Sequence, residues 1–126
     1  MRARAPVSLV DLPATILALS DSTRPQVLPG TSLFPTPRDA GDSASSPLFA
    51  QLSHTRGHPP WYPVARAPLR SATLGRWHLI VNGKGEETLM ELSDPAGTVM
   101  DLATSEHLAV ARSLRRRLDS TLRTPR

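Results

Sequence analysis

The sequence predicts an α+β fold, in which a short antiparallel sheet of three to four strands carries a packed C-terminal helix, preceded by a short helix and a long loop. Apolar side chains alternate from Trp77 to Val81, which is the period of a strand. From Ser105 to Leu122 they recur at helical spacings of three and four. Most of the 13 prolines lie between Pro25 and Pro68, which indicates loops in the middle of the chain.

The first predicted element is a helix from Pro13 to Ser20. Leu12, Ile16 and Leu19 fall on one face at spacings of four and three, and Pro13 suits a first helical position. Asp11 stands where a carboxylate caps the unpaired N–H groups. This interpretation is favoured over an acidic site residue.

The middle of the chain is predicted as a long loop over residues 21–46, followed by short strands. A loop over His54 to Pro63 separates the first strand from the second. Asn and Gly tolerate positive φ, so residues 82–85 (Asn-Gly-Lys-Gly) predict a hairpin turn between the last two strands. The predicted strands are Pro47 to Leu52, Leu69 to Leu74, Trp77 to Val81 and Glu87 to Leu92.

The last element is a helix from Ser105 to Leu122, with Ser105 as its predicted N-cap. An apolar stripe is predicted to face the sheet, and arginines take the remaining surface in the C-terminal half. The stripe consists of Leu108, Ala111, Leu114 (or Arg115), Leu118 and Leu122.

Composition excludes several classes of site. The 126 residues contain no cysteine, which removes disulfides, thiolate metal ligands and cysteine nucleophiles. The net charge is +4, but the basic residues are scattered apart from Arg115-Arg116-Arg117, and we interpret that run as a solvated helix face. We therefore predict no nucleic-acid partner. No apolar run approaches the ~20 residues of a membrane span, so no span is predicted.

Two stretches, taken in order, carry a family resemblance. Residues 7–17 read VSLVDLPATIL and residues 28–33 read LPGTSL. Residues 75–80 read GRWHLI, residues 87–92 ETLMEL, residues 94–97 DPAG and residues 100–103 MDLA, with the C-terminal helix after them. In order and approximate spacing, the chain resembles the C-terminal portion of arylsulfatase-type sulfatases, which belong to the alkaline-phosphatase-like superfamily.

The resemblance implies a division of the chain into two parts. Residues 1–46 correspond to the tail end of the sulfatase catalytic α/β domain, a helix plus loop. Residues 47–126 correspond to the C-terminal subdomain, with the antiparallel sheet and terminal helix. The implied function is that of a C-terminal fragment of a sulfuric ester hydrolase, structural and inactive alone, whose partner is the missing N-terminal catalytic portion.

The family's chemistry is implied to lie outside this chain. Family members attack sulfur with a formylglycine made from the Cys or Ser of a CxPSR-type motif, and hold a divalent metal, usually calcium, with carboxylates and an Asn. This sequence contains neither the CxPSR-type motif nor the metal-ligand motifs. No catalytic, cofactor-binding or metal-binding residue is therefore carried over, and calcium is expected only in a complete family member. Two alternatives stay open: the C-terminal part of a related phosphate or phosphonate ester hydrolase, and a stand-alone interaction module without enzymatic activity.

His54, Arg56 and His58 form the one candidate substrate-contacting group. In a complete enzyme this loop could reach the mouth of the active site, where His and Arg suit an anionic sulfate; a plain surface loop is the favoured alternative. The two histidines are four residues apart, as in helical zinc sites, but Gly57 and Pro59 argue against a helix. No metal site is predicted there.

Other conspicuous residues have structural interpretations. His78 is predicted to be a hydrogen-bonded sheet residue and Lys84 a hairpin-turn residue, because the phosphate-loop spacing around it is missing. Trp77 is predicted to pack in the core because it occupies an alternating strand position. For both Trp77 and Trp61, stacking on a sugar or aryl group is the alternative interpretation.

Overall fold

A computed structural model of the chain describes residues 6–20, 28, 30–34, 46–54 and 57–122. The chain divides into two compact units, Met1–Ser46 and Pro47–Arg126. Each unit is described by itself below. The derivation of the first unit from a larger α/β domain stays a prediction.

The first unit contains helix α1, Asp11–Leu19. The predicted start at Pro13 was wrong by two residues: Pro13 is the third helical residue, a position where its missing N–H costs nothing because the first turn has no intrahelical partner. The predicted Asp11 cap is also wrong. Val10 is the N-cap residue and no side chain caps the helix, while Asp11 Oδ1 accepts a hydrogen bond from the Thr31 backbone N–H at 2.9 Å.

Residues 30–34 lie along α1 and are held to it by side chains of the helix. Thr15 Oγ1 accepts a hydrogen bond from the Leu33 backbone N–H at 2.9 Å and donates one to the Asp11 carbonyl at 2.6 Å. Gly30 has a φ of 99°, and a Cβ there would lie 2.2 Å from the Val10 carbonyl oxygen. Both the backbone angle and the close approach therefore require glycine at position 30.

The second unit is built on a four-stranded antiparallel sheet with strand order β1-β2-β3-β4. The predicted α+β class, with a sheet of three to four strands and a packed terminal helix, is confirmed. The predicted strands are present with bounds that differ by at most one residue. The strands are β1 Leu48–Leu52, β2 Leu69–Leu74, β3 Trp77–Asn82 and β4 Glu87–Glu91, with the short helix α2 Pro63–Arg66 between β1 and β2.

Helix α3, Ser105–Thr121, packs on one face of this sheet. Its buried residues Ala111, Leu114 and Leu118 meet Leu79 and others of the sheet in one core cluster. The further core members are Ala72, Val81 and Leu89. The structure thus selects Leu114 for the apolar stripe and confirms the alternation predicted for β3.

The predicted N-cap of α3 was displaced by one residue. Thr104 flanks the helix in an extended conformation, Ser105 is its first residue, and no side-chain cap bond is made. A helix of 17 residues that buries an apolar stripe against a sheet is stabilised mainly by that packing, so a cap bond is dispensable.

Helix α2 was missed by sequence interpretation, which placed a loop up to Pro63. Four residues are too few to show a helical period, and only Pro63 at the first position follows a known preference. The helix exists because it inserts Val64, with the adjacent Ala67, into the protein interior. Within the described ranges, no helix is both long and apolar enough to cross a membrane.

Candidate functional site

The loop between β1 and β2, residues 54–66, carries the predicted substrate-contacting group. His54 Nε2 lies 3.1 Å from the carbonyl oxygen of Ala65. Since a carbonyl can only accept, Nε2 carries the proton in this contact. Arg66 Nε donates to the Pro60 carbonyl at 2.7 Å. Both ends of the loop are therefore fixed by the backbone of the loop itself.

The two histidines of the predicted group have separate surroundings. His54 makes the contact with Ala65, while the His58 ring stacks on Tyr62 with centroids 5.6 Å apart and planes inclined by 30°. Arg56 lies outside the described residues. Trp61, which precedes Tyr62 in the chain, has 72% of its surface exposed. The loop therefore presents an aromatic surface with one imidazole, and its role at a substrate mouth stays a prediction.

The described ranges contain no group of three or more His, Cys, Asp or Glu side chains placed to hold a metal ion. His54 was considered above as one of two histidines with the spacing of a helical zinc site. Its Nε2 is hydrogen-bonded to the Ala65 carbonyl oxygen.

The sheet face opposite α3, called here the open face, holds the second cluster of polar groups. His78 Nδ1 lies 2.6 Å from Thr73 Oγ1 on the neighbouring strand, so the predicted hydrogen-bonded sheet histidine is confirmed. Burial lowers the pKa of the His78 imidazole below its ordinary value near 6.5. A shallow groove of about 290 Å³ runs beside it, with Leu52, Leu69 and Ile80 among its lining residues.

The turn after β3 is the hairpin that the sequence predicts. Asn82 Oδ1 accepts from the backbone N–H groups of Lys84 at 3.0 Å and Glu86 at 2.9 Å, and the Asn82 carbonyl accepts from Gly85 at 2.9 Å. Lys84 thus sits in a turn organised by an asparagine side chain. Gly83 lies against the Pro68 ring, and a Cβ there would be 2.8 Å from Pro68 Cδ.

The arginine run of α3 has two different environments. Arg115 is half-buried, and its guanidinium donates to Asp119 Oδ2 at 2.8 Å and Glu87 Oε1 at 3.0 Å. Arg70 lies 3.4 Å from Asp119 Oδ1. The hydrogen bond to Asp119 raises the pKa of Arg115 further. The interpretation of the run as a solvated face is therefore wrong for Arg115, which ties α3 to β4, while the pair of Arg70 and Asp119 links α3 to β2.

The spacing of Arg115 and Asp119 is a signal that sequence interpretation could have used. Residues four apart on a helix are neighbours and form ion pairs. The pairing with Glu87 across the sheet had no local signal, because 28 residues separate the two side chains in the chain.

Trp77 packs as predicted on the α3 side of the sheet, half-buried against the core cluster. The His107 ring meets it edge-on with centroids 5.6 Å apart. The Arg76 guanidinium carbon lies 4.9 Å from the centre of the Trp77 ring, a cation–π arrangement. Trp77 therefore joins β3 to the start of α3 and is not a free stacking surface.

Comparison of the chain with protein-family models, with curated proteins and with solved structures finds no significant match. The class of the protein is consequently defined by the elements themselves: a small α+β unit with one helix-covered sheet face and one open face, and a separate short helical unit.

Proposed function

We propose that the chain is the C-terminal portion of a sulfatase-type sulfuric ester hydrolase, in which it stabilises and completes a catalytic portion that is not part of this sequence. The observation that carries the proposal is helix α1. It has a defined place against residues 30–34, yet none of its residues is buried.

The exposed side chains of α1 are those of a helix that packs inside a protein. Leu12, Ile16 and Leu19 are exposed to 46%, 63% and 60% of their surface. Apolar side chains at these spacings form a stripe that normally faces a core. An exposed stripe of this kind marks a contact with another protein surface. In the proposal, that surface belongs to the missing N-terminal catalytic portion.

The contacts within the first unit support the resemblance on which the proposal rests. The two motif segments, residues 7–17 and residues 28–33, are joined by the hydrogen bonds of Asp11 and Thr15 to the second segment. Gly30 is required by its close approach to the helix. The two motif segments thus form one hydrogen-bonded piece of structure, as expected if both belong to one part of a larger domain.

The catalytic groups come from the other portion in this proposal. The described residues contain no group of three or more His, Cys, Asp or Glu side chains placed to hold a metal ion. The family's formylglycine and metal ligands would lie in the N-terminal portion, where a hard cation polarises the ester oxygens. The 54–66 loop, with His58 and Arg56, would contribute at most to binding the sulfate.

The first test is the DNA immediately upstream of the Met1 codon. An open frame that encodes a CxPSR or SxPSR motif, on the same strand and next to this one, supports the proposal. A promoter with an unrelated neighbour contradicts it and favours a stand-alone interaction module.

The second test is reconstitution of the chain with that upstream portion, assayed on a nitrophenyl sulfate with calcium. We expect hydrolysis only when both portions are present. Ile16→Asp should abolish it by placing a charge in the α1 contact, whereas Ala109→Asp, which puts the same charge on an exposed position of α3, should not.

Three results would contradict the proposal. The first is full activity without the chain, and the second is activity of the Ile16→Asp assembly equal to that of wild type. The third is a preference of the assembly for a nitrophenyl phosphate, which would assign the chain to the related phosphate ester hydrolases.

A further inference from the structure

The two edges of the sheet differ in how they are protected. The outer edge of β4 is covered in part by the following segment, since Met90 forms a bridge with Val99 and the Met100 N–H donates to the Leu89 carbonyl at 2.8 Å. β1 lies at the other edge, and within the described ranges no strand pairs with its outer side. An unpaired strand edge is a template for another strand.

β1 also lacks the side chains that usually discourage such pairing. Its sequence is Leu-Phe-Ala-Gln-Leu, with no charge and no proline. Natural edge strands are normally interrupted by lysine, proline or a bulge. The side chains of Ala50 and Leu52 on the open face are accessible, with 53% of Leu52 exposed. Helix α3 packs mainly over β2, β3 and β4, so it leaves this edge reachable.

The sequence of β1 fits a second copy of itself. In antiparallel pairing centred on Ala50, opposite residues lie at equal distances before and after Ala50. Leu48 is then opposite Leu52 of the second copy, and Phe49 is opposite Gln51. Leu48, Ala50 and Leu52 share the open face, since they are opposite Thr73, Ser71 and Leu69 of β2. Two apolar leucine pairs therefore flank the centre of the pairing, and no like charges meet.

We propose that β1 is a self-association edge, at which two copies of this chain pair antiparallel about Ala50 into one eight-stranded sheet. The two-fold axis is perpendicular to the sheet, so both α3 helices lie on the same side and the two open faces become continuous. This is an isologous contact, in which the same residues serve both partners. The inference is independent of the function proposed above.

The register gives a direct test through a single introduced thiol. The chain has no cysteine, so Ala50→Cys provides the only one. Residues directly opposite each other in antiparallel strands have Cα atoms about 4.5–5.5 Å apart, within the range that a disulfide spans. Oxidation of the full-length Ala50→Cys chain at low micromolar concentration should give a disulfide-linked dimer.

Thr88→Cys is the matched control for this cross-link. Thr88 is opposite Ile80, so it lies on the same open face but on β4, at the other edge. We expect little dimer from Thr88→Cys under the same oxidation. Equal amounts of cross-linked dimer from the two variants would overturn the proposal, as would no dimer from Ala50→Cys.

A second pair of variants tests the contact without a covalent bond. Ala50→Lys places two like charges opposite each other at the axis, which should weaken self-association about fivefold or more. Thr88→Lys adds the same charge to the same face at the far edge and should leave it unchanged. Sedimentation velocity of the full chain, with circular dichroism to confirm that each variant is folded, measures both effects.

Two outcomes of the sedimentation experiment would overturn the proposal. One is a wild-type chain that stays monomeric at tens of micromolar. The other is a dimer that Ala50→Lys leaves intact, which would assign association to another surface, such as the apolar stripe of α1. Should Ala50→Lys fail to fold, the cross-linking pair decides alone.

Discussion

Gly83 shows how one residue in a turn is constrained by a residue distant in the chain. A Cβ at this position would lie 2.8 Å from Pro68 Cδ and 3.1 Å from Ala67 Cβ. Gly83→Ala should therefore lower the free energy of unfolding by about 1–3 kcal/mol, the usual cost of overpacking. Urea denaturation followed by circular dichroism measures it.

The proline ring supplies the control for this prediction. In a Pro68→Ala background the two closest atoms are gone, so Gly83→Ala should cost clearly less than in wild type. An equal cost in both backgrounds would show that the contact with Pro68 is not the cause.

Arg115 pairs with one carboxylate of its own helix and with one of β4. Arg115→Gln removes the contacts to Asp119 and Glu87 and should lower the free energy of unfolding by roughly 1 kcal/mol. Arg116→Gln makes the same change at an exposed neighbour and should alter it by less than about 0.5 kcal/mol. Urea denaturation of the two variants at one salt concentration tests the difference; equal effects would contradict the structural role of Arg115.

His78 makes stability depend on pH in a predictable direction. Burial lowers its pKa in the folded protein, so below about pH 6.5 the unfolded chain binds a proton that the folded chain resists. The free energy of unfolding should fall as the pH drops below that value. His78→Asn should flatten this part of the profile in urea denaturation, and an unchanged slope would contradict the assignment.

At the scale of elements, α1 and α3 differ in what supports them. α3 buries Ala111, Leu114 and Leu118, while the nine residues of α1 bury none and are fewer than the ~12–15 that an isolated helix needs. In the chain alone, amide hydrogen exchange should be fast in α1 and slow in the middle of α3. Equal protection of the amides in both helices would contradict the proposal that α1 packs on a surface that this chain lacks.

At the scale of the whole molecule, the proposed function predicts that the chain by itself is inactive. We expect no hydrolysis of a nitrophenyl sulfate above the buffer rate, with or without added calcium, because the proposal places the nucleophile and metal ligands in the other portion. Turnover that persists through further purification and scales with the amount of chain would contradict it.

The sequence anticipated the second unit better than the first. The alternation around Leu79 and the asparagine–glycine turn are local signals, and a sheet and helix that bury each other follow them closely. The α1 boundary and the partner of Asp11 were wrong, because a single carboxylate near a helix start can cap the helix or bind another segment. The predicted substrate loop was located, but its partners, such as Tyr62 for His58, had no signal in the sequence.

What the sequence by itself determined is the kind and order of elements, since the periods of apolar residues and the turn residues act over a few positions. Only the tertiary structure decided which side chains meet: Gly83 beneath Pro68, Arg115 between two carboxylates, and the unpaired outer side of β1. The physical reason is that these contacts join residues far apart in the chain, and their energies depend on distances that no local pattern encodes.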